Sequence, residues 1–326
     1  MGKKLNNTVF FLLVCTVSLL FLSLEVGKYD VSLTRMISGK ITDPLDYKVF
    51  YQLRLPRTLM ALYAGFALSL VGALMQTIFK NPLASPDIMG VSSGAGAGAA
   101  LGIILGGGGF LTVTSGALVG ALLAISLAVY LTRGRFSRQL ASFVVAGVAV
   151  NALAQSVLML MKLMADPENQ LSSIEFWLMG GLGAVTLEKV YLGLLGSLPA
   201  LILLLFLGRQ VGILSLSDGE AEALGVNLKI IRPLILFLSA LVVASLISIT
   251  GIISFIGLVA PHLARLILKT NNRITWIIAG LIGGNLLLVS DILARTLTYA
   301  EIPVSILTSL IGAPILIMLM RGKGKL

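Results

Sequence analysis

The sequence predicts an all-α polytopic membrane protein: ten transmembrane helices, a short extracytoplasmic half-helix and one helix in a cytoplasmic loop. Three observations carry that prediction. The 326 residues are 57% hydrophobic and only 12% charged, with a mean hydropathy of +1.01, whereas a soluble domain is nearer half apolar and a quarter charged. Ten apolar runs recur along the chain, at 8–24, 58–79, 88–105, 110–131, 140–163, 190–208, 233–250, 252–269, 275–293 and 303–320, and each has a length suited to a membrane helix. The basic residues gather in alternate loops, as the positive-inside bias requires. All ten runs belong to one transmembrane domain spanning 1–326.

The first run follows Lys3-Lys4. It is long for the apolar region of a signal peptide and no small-x-small site follows it, so it reads as an uncleaved first span. The second run opens on Arg54-Leu55-Pro56-Arg57. Runs seven and eight form one apolar stretch of about 36 residues, ~54 Å as a single helix against a hydrocarbon core of ~30 Å. The stretch must fold back, and Thr250-Gly251 is the natural place. The shorter Leu171–Gly183 segment, with Trp177 and many small residues, reads as a half-span or interfacial helix.

Orientation follows from charge. With the N-terminus inside, Lys80, Arg133, Arg135, Arg138, Arg209, Lys229, Arg232, Arg265, Lys269, Arg273 and the terminal basic residues all fall in the cytoplasm. Both termini are then cytoplasmic, and the net charge of +10 speaks to membrane orientation and an anionic inner leaflet rather than to nucleic acid. Arg54 and Arg57 fall outside, against the bias, which suggests that something acidic docks there. A single cysteine (Cys15) and a single histidine (His262) exclude an intrachain disulfide and a His-cluster metal site. No metal ligands, catalytic residues or cofactors are expected.

The 35 glycines cluster in Ser92–Gly98, Gly106–Gly109 and Gly283-Gly284. Close helix packing explains them where lipid supplies no hydrophobic drive between helices; a glycine-lined path is the other reading. No G-x-x-x-x-G-K-[ST] loop occurs, so the chain does not itself hydrolyse ATP. In the loop 209–232, Ser217 with Glu220 three residues on makes a capping box, and Gly225 is a helix stop. Phe79-Lys80-Asn81-Pro82-Leu83-Ala84-Ser85-Pro86-Asp87 reads as a tight turn. Here Pro82 ends span two, and Ser85 caps span three ahead of Pro86 and Asp87. Met159, Met161 and Met164 are core filler, and His262 is a packing or hydrogen-bonding residue.

From about Tyr51 onward the chain resembles the permease subunits of ABC importers for iron-siderophore complexes, haem and vitamin B12. The resemblance rests on Arg54-Leu-Pro-Arg57, Gln76, Asn81-Pro-Leu-Ala84, Gly90-Val-Ser-Ser-Gly94, Phe176-Trp177-Leu-Met-Gly-Gly181, Gly257-Leu-Val-Ala-Pro-His262 with Arg265, Asp291 with Arg295, and Gly312-Ala-Pro314. It implies ten helices per subunit, a second permease copy (identical or paralogous), two ATP-binding subunits and an extracytoplasmic solute-binding protein, all at the cell's inner membrane.

Residue by residue, the resemblance implies that Arg54, Arg57 and Arg295 receive acidic groups of the binding protein. It makes Ser217, Asp218, Glu220, Ala221 and Gly225 part of a coupling helix on the ATPase, and places Asn81 and Leu83 near a cytoplasmic gate. Leu140-Ala141 departs from the polar second gate of the B12 member. The expected function is ATP-driven uptake of an iron chelate, a ferric siderophore first, with haem or vitamin B12 as alternatives. Asp291 and Arg295, four apart, can equally form a helix-face pair. An ion-coupled secondary transporter would place ionisable residues at the midplane, and no acid falls clearly mid-span. A membrane-embedded enzyme would need a convergent cluster that is missing.

Overall fold

The computed structural model describes residues 2–29, 44–132 and 140–322, with the side chains of 2–4 and 319–322 left aside. Arg133, Arg135 and Arg138 lie outside the described residues. The helices are α1 (Gly2–Glu25), α2 (Pro44–Ile78), α3 (Val91–Ile104), α4 (Phe110–Leu131), α5 (Leu140–Met164), α6 (Gln170–Met179), α7 (Leu187–Phe206), α8 (Gly208–Leu214), α9 (Asp218–Ala223), α10 (Leu228–Thr250), α11 (Ile256–Leu268), α12 (Arg273–Thr296) and α13 (Val304–Gly322). Every apolar run contains a helix. Seven of these helices are long and apolar enough to cross a bilayer, and three (Val91–Ile104, Ile256–Leu268 and Val304–Met318) are shorter. At 14 and 13 residues, α3 and α11 extend only ~20 Å at 1.5 Å per residue.

Contacts divide the chain into two compact units: 1–70 with 181–192 and 253–326, and 71–180 with 193–252. In the first, α12 packs between α1, α11 and α13. Its Gly283-Gly284 step faces Gly65 of α2. A Cβ on Gly65 would lie 2.9 Å from the Gly283 carbonyl carbon, so the backbones meet without intervening side chains. Polar groups bridge helices here because lipid offers no water: Thr16 Oγ1 lies 2.8 Å from Asn285 Oδ1, and Ser23 Oγ lies 2.7 Å from Thr58 Oγ1.

Helix α2 is a correction to the expected span. It runs 35 residues from Pro44 to Ile78, with a π-helical segment at Val49–Arg54, rather than starting at Thr58. That is ~52 Å, longer than the hydrocarbon core even when tilted. Arg54 and Arg57 therefore sit within a continuous helix and not at its mouth.

The second unit is built on α3 and α4, which interlock through small residues: a Cβ on Gly94 would come within 2.5 Å of Gly120 O. This is the close packing that the glycine clusters predict. The long apolar stretch breaks where expected. Helix α10 stops at Thr250, and Gly251 (φ +69°) and Gly180 (φ +64°) hold conformations that disfavour a side chain. The two glycines also touch, since a Cβ on Gly251 would sit 2.8 Å from Gly180 Cα. The Phe176–Gly181 motif therefore ends the half-helix α6 against the end of α10.

Two boundaries differ from expectation. The eighth helix begins at Ile256 and not at 252, because Phe255 adopts a left-handed conformation (φ +66°). Span three does not start at Pro86. Pro86–Met89 is a separate 3-10 turn closed by Gly90 (φ +75°), and the Ser85 side chain does not cap its backbone. Instead Asp87 accepts hydrogen bonds from Ser92 and, at 3.5 Å, from Ser85.

Candidate functional site: an arginine cleft and an exposed loop helix

In the first unit the structure brings Arg54, Arg57 and Arg295 to one cleft of about 200 Å³, lined also by Lys28, Tyr29, Gly183 and Glu301. The cleft holds more positive than negative side chains, which suits an acidic visitor. Yet all three arginines are largely buried, at 5%, 7% and 5% exposure, and all have partners inside the protein.

Arg54 donates to the carbonyls of Leu24 (2.8 Å), Glu25 (2.6 Å) and Tyr29. Arg295 donates to Ser23 O (2.6 Å) and Ser23 Oγ (2.7 Å). The Ser23, Leu24 and Glu25 carbonyls belong to the last turn of α1, where helical carbonyls lack intrahelical donors, and Tyr29 lies just beyond it. Helix α1 has no basic residue in that turn, so cations from α2 and α12 supply the cap and complement the helix dipole.

Arg57 is tied differently. Its Nε donates to Asp291 Oδ1 at 2.6 Å, and its NH1 spans both oxygens of Glu301 at 3.0 and 2.9 Å. Asp291 is fully buried, while the Glu301 side chain is 48% exposed. Asp291 also lies 3.6 Å from Arg295 Nε, the expected i,i+4 pair. At that distance it is an ion pair without hydrogen-bond geometry, and Arg57 is the closer partner. One buried carboxylate thus sits between two arginines. Removing a single member of such a buried set leaves an uncompensated charge.

Glu301 went unrecognised in sequence reasoning. It lies in the loop after α12, and its tie to Arg57 spans 244 positions. Gly183 makes room for it, since a Cβ there would meet Glu301 Oε2 at 2.6 Å. The sequence carries no local signal for either.

In the second unit the loop helix forms as its capping box predicts. The Ser217 side chain accepts from the Glu220 N–H at 3.3 Å, and Glu220 Oε2 accepts from the Ser217 N–H at 2.8 Å. The Ser217 hydroxyl also donates to Glu220 Oε2 at 2.6 Å, and this bond, with that from the Ser217 N–H, holds the Glu220 carboxyl below its ordinary value. Gly225 (φ +81°) ends the element. Asp218 pairs at 2.8 Å with the buried Arg232 of α10, and Ala221 is buried beneath the helix. Lys80 donates to Leu216 O. Glu220, Glu222 and the C-cap residue Leu224 are exposed to solvent, with Leu224 57% exposed.

Asn81 closes a turn: its Oδ1 accepts from the Leu83 N–H at 2.9 Å, and its carbonyl accepts from the Ala84 N–H at 3.1 Å. Leu83 is exposed.

These features define an α-helical polytopic membrane protein with a structured loop helix and a cationic cleft. The FecCD transport family model matches residues 13–322, and the chain belongs to that family: it is an ABC-importer permease. It is 38% identical over 303 residues to the molybdate import permease MolB of Haemophilus influenzae, covering 90% of this chain and 89% of that one. It is 37% identical over 313 residues to the hemin transport permease HmuU of Yersinia pestis, covering 93% and 92%. It is 36% identical over 278 residues to the vitamin B12 import permease BtuC of Yersinia pseudotuberculosis, covering 84% and 82%. A solved structure assigned as an inward-facing metal-chelate type ABC transporter superposes with a TM-score of 0.88 at 34% identity, covering 99% of this chain and all of that one. As in the permeases of this family, ATP hydrolysis resides in separate nucleotide-binding subunits.

Proposed function

We propose that this chain is the membrane-spanning subunit of an importer that takes up a metal chelate or metal-containing cofactor by ATP-driven alternating access. The observation that carries the reading is the unbroken family match over 13–322, joined to relatives that align over most of both chains. In this reading the three shorter helices complete ten spans, both termini face the cytoplasm, and two permease copies stand in the inner membrane on two ATPases.

The exposed face of α9 meets the ATPase, and Asn81 and Leu83 stand near the inner gate. The cleft of Arg54, Arg57 and Arg295 receives acidic side chains of an extracytoplasmic binding protein. Because these arginines are anchored by internal partners, docking adds a carboxylate to a preorganised cationic frame instead of ordering three free side chains.

Cargo is the open dimension. Relatives named for molybdate, hemin and vitamin B12 stand at 38, 37 and 36% identity, too close together to separate substrates. They favour haem or vitamin B12 over a ferric siderophore, and they widen the class to a metal oxyanion that the sequence reading did not weigh. The deciding experiment is uptake of labelled haem, cobalamin, molybdate and a panel of ferric siderophores in cells with and without the gene. Loss of one cargo names the substrate, while normal uptake of all four classes overturns the reading.

A further inference from the structure

We propose that Glu301 is an internal stand-in for the docking partner: its carboxylate occupies the outer side of Arg57 until an external carboxylate displaces it. The inference rests on the docking reading above and deepens it. Arg57 divides its donors between two acids of unlike standing. Asp291 takes Nε at 2.6 Å and is fully buried, so it is fixed, because an uncompensated charge there is costly. Glu301 takes NH1 through both oxygens, yet nearly half of its side chain is exposed, so water and salt screen that pair. Its carboxylate lies at the cleft wall beside Lys28, Arg54 and Arg295. An incoming Glu or Asp would find there the same bidentate fork that Glu301 now uses.

Two further features make the exchange feasible. Glu301 sits in a loop, and its neighbour Ile302 anchors that loop through a 3.0 Å bond to Ala294 O, so the side chain can swing while the backbone stays. Gly183 leaves the space that the carboxylate fills, so a methyl at 183 would crowd the internal acid off Arg57. An internal competitor of this kind weakens docking at rest and excludes partners that do not present a well-placed carboxylate.

The test uses the full-length permease in detergent and a fluorescein-labelled tetraglutamate peptide as probe, read by fluorescence anisotropy at low and high salt, with gel-filtration profiles confirming each fold. Glu301→Gln is expected to tighten peptide binding roughly two- to fivefold, the range that displacing one exposed ion pair supplies. Gly183→Ala is expected to shift binding in the same direction. Salt-sensitive binding to the wild type that neither variant alters overturns the stand-in role and leaves the docking reading in place. Absence of binding to the wild type and to both variants overturns the two together.

Discussion

The arginine cleft and the loop helix α9 are both charged, functional in the proposed mechanism and flanked by apolar helices, but they are assembled in opposite ways. Helix α9 is a local device. Its capping box joins positions three apart, its stop is the left-handed Gly225, and its ion pair joins Asp218 to Arg232, fourteen positions away. The cleft is assembled from afar: Arg57 reaches Asp291 across 234 positions and Arg295 reaches Ser23 across 272. A local element can present a face to a partner and be replaced piecemeal. A cleft tied through α1, α2 and α12 is part of the fold itself, so the proposed docking role and the structural role cannot be separated by removing an arginine.

That contrast can be broken at its strongest point. Asp291→Asn leaves two largely buried arginines sharing a neutral partner, and should cost about 3–5 kcal/mol. The measure is the thermal unfolding midpoint in detergent; a stability within error of wild type would show that the arginines do not depend on Asp291. Ser217→Ala removes one half of the capping box, at about 1 kcal/mol. Faster amide exchange confined to residues 218–223 would register it, and no change would mean that tertiary contacts alone hold α9.

The smallest expected effect is in pH. The folded-state pKa of Glu220 is lowered, so its contribution is full above the ordinary glutamate range and fades only as pH falls through the lowered value. Exchange protection of α9 should therefore survive mild acid and drop below the usual Glu titration. Loss of protection at or above that titration would contradict the hydrogen-bonded carboxylate.

The same difference explains what could be read from the sequence. Apolar runs, the helix break at Thr250-Gly251, a short helix overlapping the expected 171–183 segment and the α9 capping box are written in neighbouring residues, and all appear in the structure. The packing of Gly283-Gly284 and Gly94 was legible because small residues mark close helix approach. The extension of α2 back to Pro44 was hidden because its first turns are polar, and Phe255 takes a left-handed conformation that no local glycine announces. The i,i+4 relation of Asp291 and Arg295 was visible, but the closer partner Arg57 and the second acid Glu301 were not. The cap that Arg54 and Arg295 place on α1 was equally invisible. Such contacts depend on which helices meet, and periodicity alone leaves that unspecified.

The most direct test of the account is to replace Leu224, exposed at the C-terminal end of α9, with aspartate, and to measure ATP-driven uptake and ATP hydrolysis together. The exposed side chain has little internal packing to lose, so the permease should reach the membrane at wild-type levels. If ATPase movement enters through α9, uptake collapses while the protein remains folded. Full uptake by Leu224→Asp, at the wild-type ratio of transport to hydrolysis, would contradict that account.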